Sequence, residues 1–196
     1  TTSSKPGDPI EVPRLTRYFY DAADRVVATL DPGGRVVENF YDAGGRLVQV
    51  KRYAGTTPNA LRATGTLDQL RTIAATANDP IERYLYDGRG NQVGAVNAEG
   101  YFTEFIYDEA ANQRAVKEYA KKLTGLTGSE TLTTLRTSAM SGAPVEPSRL
   151  TQRSFNGLGQ LVTELNAEGR VTRFSYDEAG RLVRTEVAQG TSEVRE

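Results

Sequence analysis

A Tyr-Asp pair recurs along the chain and is the first candidate for chemistry, because a phenol beside a carboxylate can transfer protons. The pairs are Tyr20-Asp21, Tyr41-Asp42, Tyr86-Asp87, Tyr107-Asp108 and Tyr176-Asp177. A reactive group occurs once at a defined place, whereas this pair returns at regular intervals where an Asp is useful for capping a turn. The recurrence therefore favours a structural role, and we expect no catalytic residue and no enzyme activity.

Composition excludes most other catalytic arrangements. The 196 residues include no Cys and no His, so the chain has no disulfide, thiolate nucleophile or imidazole base, and it lacks the usual zinc ligands. With 24 Lys and Arg against 25 Asp and Glu, it has no basic field for nucleic acid or an anionic membrane. No apolar run approaches the roughly 20 residues of a membrane helix. We predict a soluble chain with no cofactor, no metal, no nucleic-acid partner and no membrane insertion.

The pairs belong to a strict repeat of turn signals. Asp or Asn stands at positions 21, 31 and 42, at 87, 97 and 108, and at 156, 166 and 177, so each set steps by 10 and then 11 residues. Each site begins an Asp/Asn-x-x-Gly pattern, which is typical of a type I turn whose fourth residue has positive φ and closes a hairpin through a bulge. Asp24 and Ala111 replace the glycine in two sites. Asp tolerates the left-handed region, whereas Ala111 is expected to be strained or to shift its turn toward Asn112.

The segments between turns predict strands. They are six or seven residues long and rich in Val, Leu, Tyr, Phe and Thr. Three turns join four strands, so we predict three four-stranded antiparallel meanders at residues 17–53, 83–119 and 152–187. We assign residues 1–14 to a linker, residues 15–190 to the repeat segment and residues 191–196 to a tail.

Two inserts, at residues 54–82 and 120–151, change to a helical period. Their leucines recur on one side of a helix, and Thr66 with Gln69 fits a capping box. We predict one short helix in each insert, bounded by Gly65 and Pro80 in the first and by Gly128 and Pro144 in the second.

Charged residues four apart across three turns predict ion pairs. These are Asp21 with Arg25, Asp42 with Arg46, and Asp177 with Arg181. Exposed pairs of this kind contribute little to stability. We expect them to help set the register of the paired strands and to have no catalytic role.

The motif Tyr41-Asp42-Ala43-Gly44-Gly45-Arg46-Leu47-Val48, repeated closely from Tyr20 and from Tyr176, resembles the YD-repeat or RHS-repeat family. The copies at Asp87 and Asp108 have Asn91 and Asn112 where the family prefers Arg, and Phe155-Asn156 departs at both signature positions. The resemblance implies β-hairpins strung into a continuous spiralling sheet that forms a hollow shell. In bacterial members such as RHS toxins and the B and C subunits of Tc toxins, the shell encloses a toxic polypeptide; in animal teneurins it is part of an adhesion ectodomain.

Geometry supports the shell independently. Twelve strands about 4.8 Å apart make a sheet about 58 Å across, and open sheets seldom exceed about ten strands without curling. This geometry predicts a mainly β fold with a curved sheet, and the resemblance implies that the three meanders form part of a spiralling β-sheet shell. Three blades of a β-propeller are the alternative, because a period near 66 residues also suits repeated four-stranded units.

The residues expected to define this scaffold are the turn and tyrosine positions. The structural signature comprises Tyr20, Asp21, Tyr41, Asp42, Gly45, Arg46, Tyr86, Asp87, Gly90, Tyr107, Asp108, Gly159, Tyr176, Asp177, Gly180 and Arg181, with half-repeat turns at Asp31, Gly34, Asn97, Gly100, Asn166 and Gly169.

The resemblance implies a non-enzymatic structural segment of a large bacterial exported RHS/YD-repeat protein, whose shell encloses or scaffolds a toxin or effector. Its partners would be the rest of the parent chain and an enclosed toxin polypeptide, and its location secreted or at the cell surface. The alternative function is a cell-surface adhesion or carbohydrate-binding module that binds glycans through tyrosines, of which the chain has ten, and through the helix-bearing inserts.

Overall fold

A computed structural model describes residues 15–142 and 148–189. Four strands precede the first insert: β1 (Arg17–Tyr20), β2 (Val26–Leu30), β3 (Val36–Tyr41) and β4 (Leu47–Arg52). Four follow it: β5 (Ile81–Tyr86), β6 (Gln92–Val96), β7 (Tyr101–Tyr107) and β8 (Gln113–Lys122). The last four are β9 (Arg149–Phe155), β10 (Leu161–Leu165), β11 (Arg170–Tyr176) and β12 (Leu182–Gln189). The predicted linker, the predicted tail and Pro144 lie outside the described residues.

All twelve strands form one antiparallel sheet in chain order, from β1 to β12. Successive meanders join edge to edge: β8 pairs with β9, with Ala115 opposite Gln152 and Glu118 opposite Arg149. A propeller would instead pack its blades face to face. The mainly β, antiparallel fold is confirmed, and the propeller alternative is wrong.

Three short helices lie in the inserts. The first insert contains α1 (Asn59–Arg62) and α2 (Leu67–Ala74), and the second contains α3 (Leu132–Met140). The Thr66–Gln69 capping box is present, with both reciprocal bonds formed. The prediction of one helix per insert was wrong for the first insert, because α1 is a single turn after Pro58 and is too short to show a helical period. None of the helices in the described ranges has the length and apolar character that crossing a bilayer requires.

The chain divides into two compact units, each with its own core. Among the described residues, unit 1 comprises residues 15–40 and Val50–Pro80, and unit 2 comprises Tyr41–Gln49 and residues 81–142 and 148–189. The buried core of unit 1 is Leu30, Val36, Tyr53, Leu70 and Ala74. That of unit 2 is Val96, Phe102, Tyr119, Leu123, Leu135 and Ala139. In each unit, a leucine and an alanine one helical turn apart pack the insert helix against the strands, because helix side chains four residues apart share a face.

All nine turns have one hydrogen-bond pattern. The N–H of the first residue donates to the carbonyl of the fifth, and the N–H of the fourth donates back to the carbonyl of the first, with distances of 2.9–3.1 Å. The fourth residue has positive φ throughout, at 81° for Gly45, 57° for Asp24 and 63° for Ala111. Ala111 donates to Asp108 at 3.0 Å, so its turn keeps its register and does not shift toward Asn112. The backbone at Ala111 therefore adopts the strained left-handed conformation.

We predict that Gly45→Val destabilises the protein by about 1–2 kcal/mol or more, because a left-handed backbone brings Cβ against the following carbonyl and branching adds to the crowding. Gly45→Asp should cost less, since Asp24 already occupies the equivalent position with φ of 57°. Urea unfolding of the two variants gives the comparison.

Gly88 provides the matched control. It lacks positive φ, a Cβ there meets no atom within 4 Å, and alanine stands at the equivalent positions 22 and 43. Gly88→Ala should therefore leave stability unchanged or slightly raise it. Equal stability of Gly45→Val and the parent chain would contradict the turn assignment.

Candidate functional site

The repeated Asp and Asn side chains cap their own turns. Asp108 Oδ1 accepts the N–H of Ala110 at 3.0 Å and the N–H of Asn112 at 2.9 Å. Asn156, an amide, accepts two equivalent bonds at 3.0 Å. Carboxylate and amide thus perform the same task, which needs only an acceptor oxygen at this distance from the backbone.

The second oxygen of each signature Asp is also occupied, by the side chain of the fifth turn residue. Arginine Nε donates to it in the turns at Asp21, Asp42 and Asp177, at 2.8, 2.7 and 2.8 Å. Asn91 and Asn112 donate their amides to Asp87 and Asp108 at 2.9 and 3.1 Å. The departures from the family motif therefore replace an ion pair with a neutral hydrogen bond and leave the turn intact.

These bonds hold the pKa of the signature carboxyls below the usual range. For Asp21 the largest cause is the side-chain hydrogen bond from Arg25, for Asp87 it is that from Asn91, and for Asp42 it is the backbone N–H of Arg46. A general acid at neutral pH needs the opposite, a raised pKa. These carboxylates are bound anions, poorly suited to proton transfer.

The signature tyrosines fasten neighbouring hairpins through their hydroxyl groups. Within unit 2, Tyr86, Tyr107 and Tyr176 donate to the carbonyls of Leu47, Gln92 and Leu161 at 3.1, 3.0 and 2.9 Å. Each acceptor lies five residues after the Asp or Asn of the preceding signature turn, where its strand resumes. Phe155 has no hydroxyl to donate. Sequence reasoning assigned these rings to sheet packing and missed this bond, because the partner is distant in sequence.

The two signature tyrosines at the start of the chain lie in other surroundings. Tyr20 ends β1 and is 60% exposed, and Tyr41 ends β3 and is partly buried.

Neighbouring signature turns of unit 2 also contact each other. Arg46 stacks over the Tyr86 ring, 4.8 Å from its centroid, and donates to the Asp87 carbonyl at 3.3 Å. Arg89 donates to the Glu109 carbonyl at 2.9 Å, and Gln160 donates to that of Gly180 at 3.2 Å. These contacts link signature turns in pairs along one end of the strands. The half-repeat turns at Asp31, Asn97 and Asn166 join the strands at their other ends.

Two buried glutamates, which the sequence reasoning missed, lie beneath the insert helices. Glu38 on β3 and Glu104 on β7 are only 5% and 4% exposed. Each accepts a tyrosine hydroxyl from the end of its meander and an arginine from the insert helix, and we call these groups the carboxylate triads.

The first triad contains Glu38, Tyr53 and Arg71. Tyr53 donates to Glu38 Oε2 at 2.6 Å, and Arg71 Nη2 donates to Oε1 at 2.5 Å. It lies entirely within unit 1.

The second triad contains Glu104, Tyr119 and Arg136. Tyr119 donates to Glu104 Oε2 at 2.9 Å, and Arg136 contacts both carboxylate oxygens, with Nε at 3.2 Å from Oε2. Its members follow those of the first triad by 66, 66 and 65 residues. A charged residue at a core-facing strand position, repeated at that period, was the sequence signal for both triads.

Burial and hydrogen bonding shift the pKa of Glu104 and of the two triad tyrosines. Burial by itself raises the pKa of Glu104, but hydrogen bonds from Arg136 and Tyr119 outweigh it and hold that pKa below the usual range. Burial and the bond to Glu104 raise the pKa of Tyr119 to about 12, and burial and Glu38 raise the pKa of Tyr53. The two phenols remain donors and Glu104 remains an anion, an arrangement that ties helix to sheet.

An open groove of about 490 Å³ in unit 2 lies beside the start of α3. Four carboxylates line it, those of Asp87, Asp108, Glu104 and the exposed Glu109. The arginines Arg89 and Arg136 line it as well. Three of the four acids are the turn caps and the triad glutamate, and are already bonded. Within residues 15–142 and 148–189, no three acidic side chains cluster in a way that could hold a metal ion.

We predict that Tyr119→Phe lowers stability by about 1–3 kcal/mol, because it leaves a buried carboxylate short of one donor. Thermal unfolding measures this loss of stability, and faster hydrogen exchange of the α3 amides should accompany it. Tyr20→Phe is the control, since Tyr20 is 60% exposed. An effect of equal size at both tyrosines would contradict the triad assignment.

The lowered pKa of Glu104 also predicts an acid-sensitive contribution to stability. A carboxyl with a lowered folded pKa stabilises the protein fully above its ordinary value of 4.5, and this stabilisation is lost as pH falls through the lower folded pKa. The Glu104→Gln variant should be less stable than the parent chain at pH 7. Its free energy of unfolding should fall less than that of the parent chain when the pH is lowered below about 4.5. Urea titrations across that range measure both slopes; parallel slopes would show that Glu104 carries no such contribution.

Comparison with known proteins gives a family match over part of the chain. The RHS repeat family model matches residues 20–57 and 155–192. A relative from Burkholderia cenocepacia (strain H111), named double-stranded DNA deaminase toxin A, is 26% identical over 187 residues, covering 86% of this chain and 12% of the relative.

Solved structures share the fold. The TcdB2-TccC3 crystal structure has a TM-score of 0.60 at 17% identity, covering 88% of this chain and 8% of that one. The Photorhabdus luminescens Tc holotoxin pore, with TccC3 mutated at D651A, gives 0.61 at 14% identity, covering 92% and 8%. The chain thus spans about a tenth of the length of these proteins. The resemblance to RHS repeats that the Tyr-Asp motifs predicted is thus confirmed over residues 20–57 and 155–192, which the family model matches.

Proposed function

We propose that this chain is a non-enzymatic segment of a larger exported RHS-repeat protein, in which it forms part of the wall of a β-sheet shell around a toxin or effector polypeptide. Its partners are the remainder of the parent protein and the enclosed polypeptide. The protein acts in secreted form or at the cell surface.

The observation that carries this proposal is that the repeated polar residues serve the sheet itself. The signature carboxylates cap turns, as Asp108 does, and three signature tyrosines fasten adjacent hairpins, as Tyr107 does. Each buried glutamate holds an insert helix, as Glu104 holds α3. A catalytic site needs groups whose bonds change during a reaction, whereas these bonds fix the backbone.

The relatives support the remaining parts of the proposal. One is named a toxin and one related structure is named a Tc holotoxin pore, and this chain covers only 8% of the matched chain in that structure. A sheet segment of that proportion suits a repeating wall, and the enclosed polypeptide would lie elsewhere in the parent chain.

A second candidate function, adhesion through glycans, rests on two exposed rings. Tyr18 and Tyr20 are 57% and 60% exposed, and they lie on the same face of β1 because residues two apart in a strand share a face. Exposed aromatic rings side by side can stack on sugars. A glycan array tests this candidate: binding that Tyr18→Ala abolishes would favour adhesion over the wall.

Protease protection tests the wall. A specific protease site is placed in the proposed enclosed polypeptide, in the full-length protein that carries this chain. We expect the site to resist cleavage in the native protein and to be cut when the polypeptide is expressed alone or the protein is unfolded in urea, because a closed wall excludes the protease.

Two variants connect that protection to this segment. Gly45→Val, which strains a turn, should raise the cleavage rate several-fold through local opening, whereas Gly88→Ala should not. Cleavage in the native protein at the rate of the free polypeptide would overturn the proposal, as would a parent protein with no polypeptide beyond its repeats.

A further inference from the structure

The three meanders have one register on the face that the insert helices cover. Three cross-strand pairs are equivalent: Leu30 with Val36, Val96 with Phe102, and Leu165 with Val171. Two residues along, the equivalent pairs are Ala28 with Glu38, Gly94 with Glu104, and Thr163 with Arg173. We call these four positions in each meander the cover face.

Helices bury the apolar pairs of the first two cover faces, whereas the third cover face is only partly buried. Val36 and Phe102 are both 0% exposed, beneath α2 and α3 respectively. At the equivalent positions of the third meander, Leu165 and Val171 remain apolar but are only partly buried, and Arg173 is exposed. The apolar chemistry of the face is thus retained, although no helix among the described residues covers it.

The backbone contact that leads into each insert shows the same difference. The carbonyl of Gly34 accepts the N–H of Thr57 at 2.8 Å, and that of Gly100 accepts the N–H of Leu123 at 2.8 Å. A Cβ on either glycine would lie within 2.7 Å of the insert backbone. At Gly169, which has the same turn and φ of 78°, a Cβ would meet nothing within 4 Å. In the described part of the third meander, this position is therefore open.

The triad position has the opposite charge in the third meander. Arg173 stands where Glu38 and Glu104 accept an arginine from their helices. The tyrosine donor is also replaced: Ala188 lies eleven residues after Asp177, as Tyr119 does after Asp108. A helix with an arginine at this point would be repelled.

We propose that the third cover face binds a third insert helix, which carries a negative charge at the triad position where α2 and α3 carry a positive one. The occupant is a helical segment of the same polypeptide, C-terminal to β12, because α2 and α3 each follow the fourth strand of the meander that they cover.

The chemistry of this helix follows from α2 and α3. In each, two leucines stand three residues apart, and an arginine follows the second: Leu67, Leu70 and Arg71 in α2, and Leu132, Leu135 and Arg136 in α3. The third helix keeps the two leucines, which lie over Leu165 and Val171. It carries Asp or Glu in the place of the arginine, paired with Arg173.

A grafted helix tests this proposal. A copy of residues 120–142 replaces residues 189–196, so that it follows Ala188 as it follows Tyr119. One version keeps the grafted Arg136 unchanged, and the other carries Arg136→Glu. We expect the Glu version to slow amide exchange at Leu165 and Val171 about tenfold or more, because burial of these strands suppresses local opening. The Arg version should give a clearly smaller effect.

Reversing the host charge provides the matched control. With Arg173→Glu in the sheet, the preference should invert, so that the Arg136 graft protects better than the Arg136→Glu graft. Exchange at Val36 in unit 1 should not change in any variant, which shows that the chain is folded.

Three results would overturn the proposal. The first is that neither graft slows exchange at Val171. The second is that both grafts slow it equally, whatever the residue at position 173. The third is that the ungrafted chain forms a concentration-dependent dimer that itself protects Leu165 and Val171, in which case a second copy is the occupant.

Discussion

The structure depends on one backbone constraint: every tenth or eleventh residue in each meander begins a turn whose fourth residue has positive φ. Gly45 at 81° satisfies it without strain, and Ala111 at 63° satisfies it at a cost. The side chain of the first residue, as in Asp108, bonds to two N–H groups that no strand partner can reach. Because strand alternation has a period of two, a turn displaced by one residue would exchange the two faces of the sheet. The bulged turn thereby fixes which residues enter the cores.

Two sequence periods have separate physical roles. The short period places Tyr107 within reach of the Gln92 carbonyl and Tyr176 within reach of the Leu161 carbonyl, so that adjacent signature hairpins are fastened together. The period of about 66 residues places Glu104 beneath α3. Burying a carboxylate is costly unless it is paired and bonded, and here Tyr119 and Arg136 supply those bonds. Such a group specifies where the helix sits more sharply than leucines can, since apolar contacts tolerate sliding and a bonded charge does not.

Local signals made much of the fold predictable. The turn residues, the strands between them and the Thr66–Gln69 cap all depend on neighbours within about five residues, and sequence reasoning found them. It missed α1, because one turn after Pro58 has no period, and it missed Glu38 and Glu104, because alternation alone does not predict a charge in a core. The hydroxyl bond of Tyr107 was also missed, since its acceptor at Gln92 lies fifteen residues away. The order in which the meanders join depends on long-range pairing such as β8 with β9, which no short pattern encodes.

The third meander shows how far internal comparison extends what a single chain reveals. A lone exposed face with Leu165, Val171 and Arg173 would be unremarkable, because half-buried apolar residues are common on protein surfaces. Two internal copies change that interpretation: the same register is fully covered at Val36 and at Phe102, and the same turn carbonyl accepts the departing chain at Gly34 and Gly100. Repetition thus supplies the reference state that an isolated surface lacks. The substitution of Arg173 for a glutamate then carries specific information, since a repeat that reverses the charge at this position accepts a helix of the complementary sign and discriminates against helices that carry an arginine there.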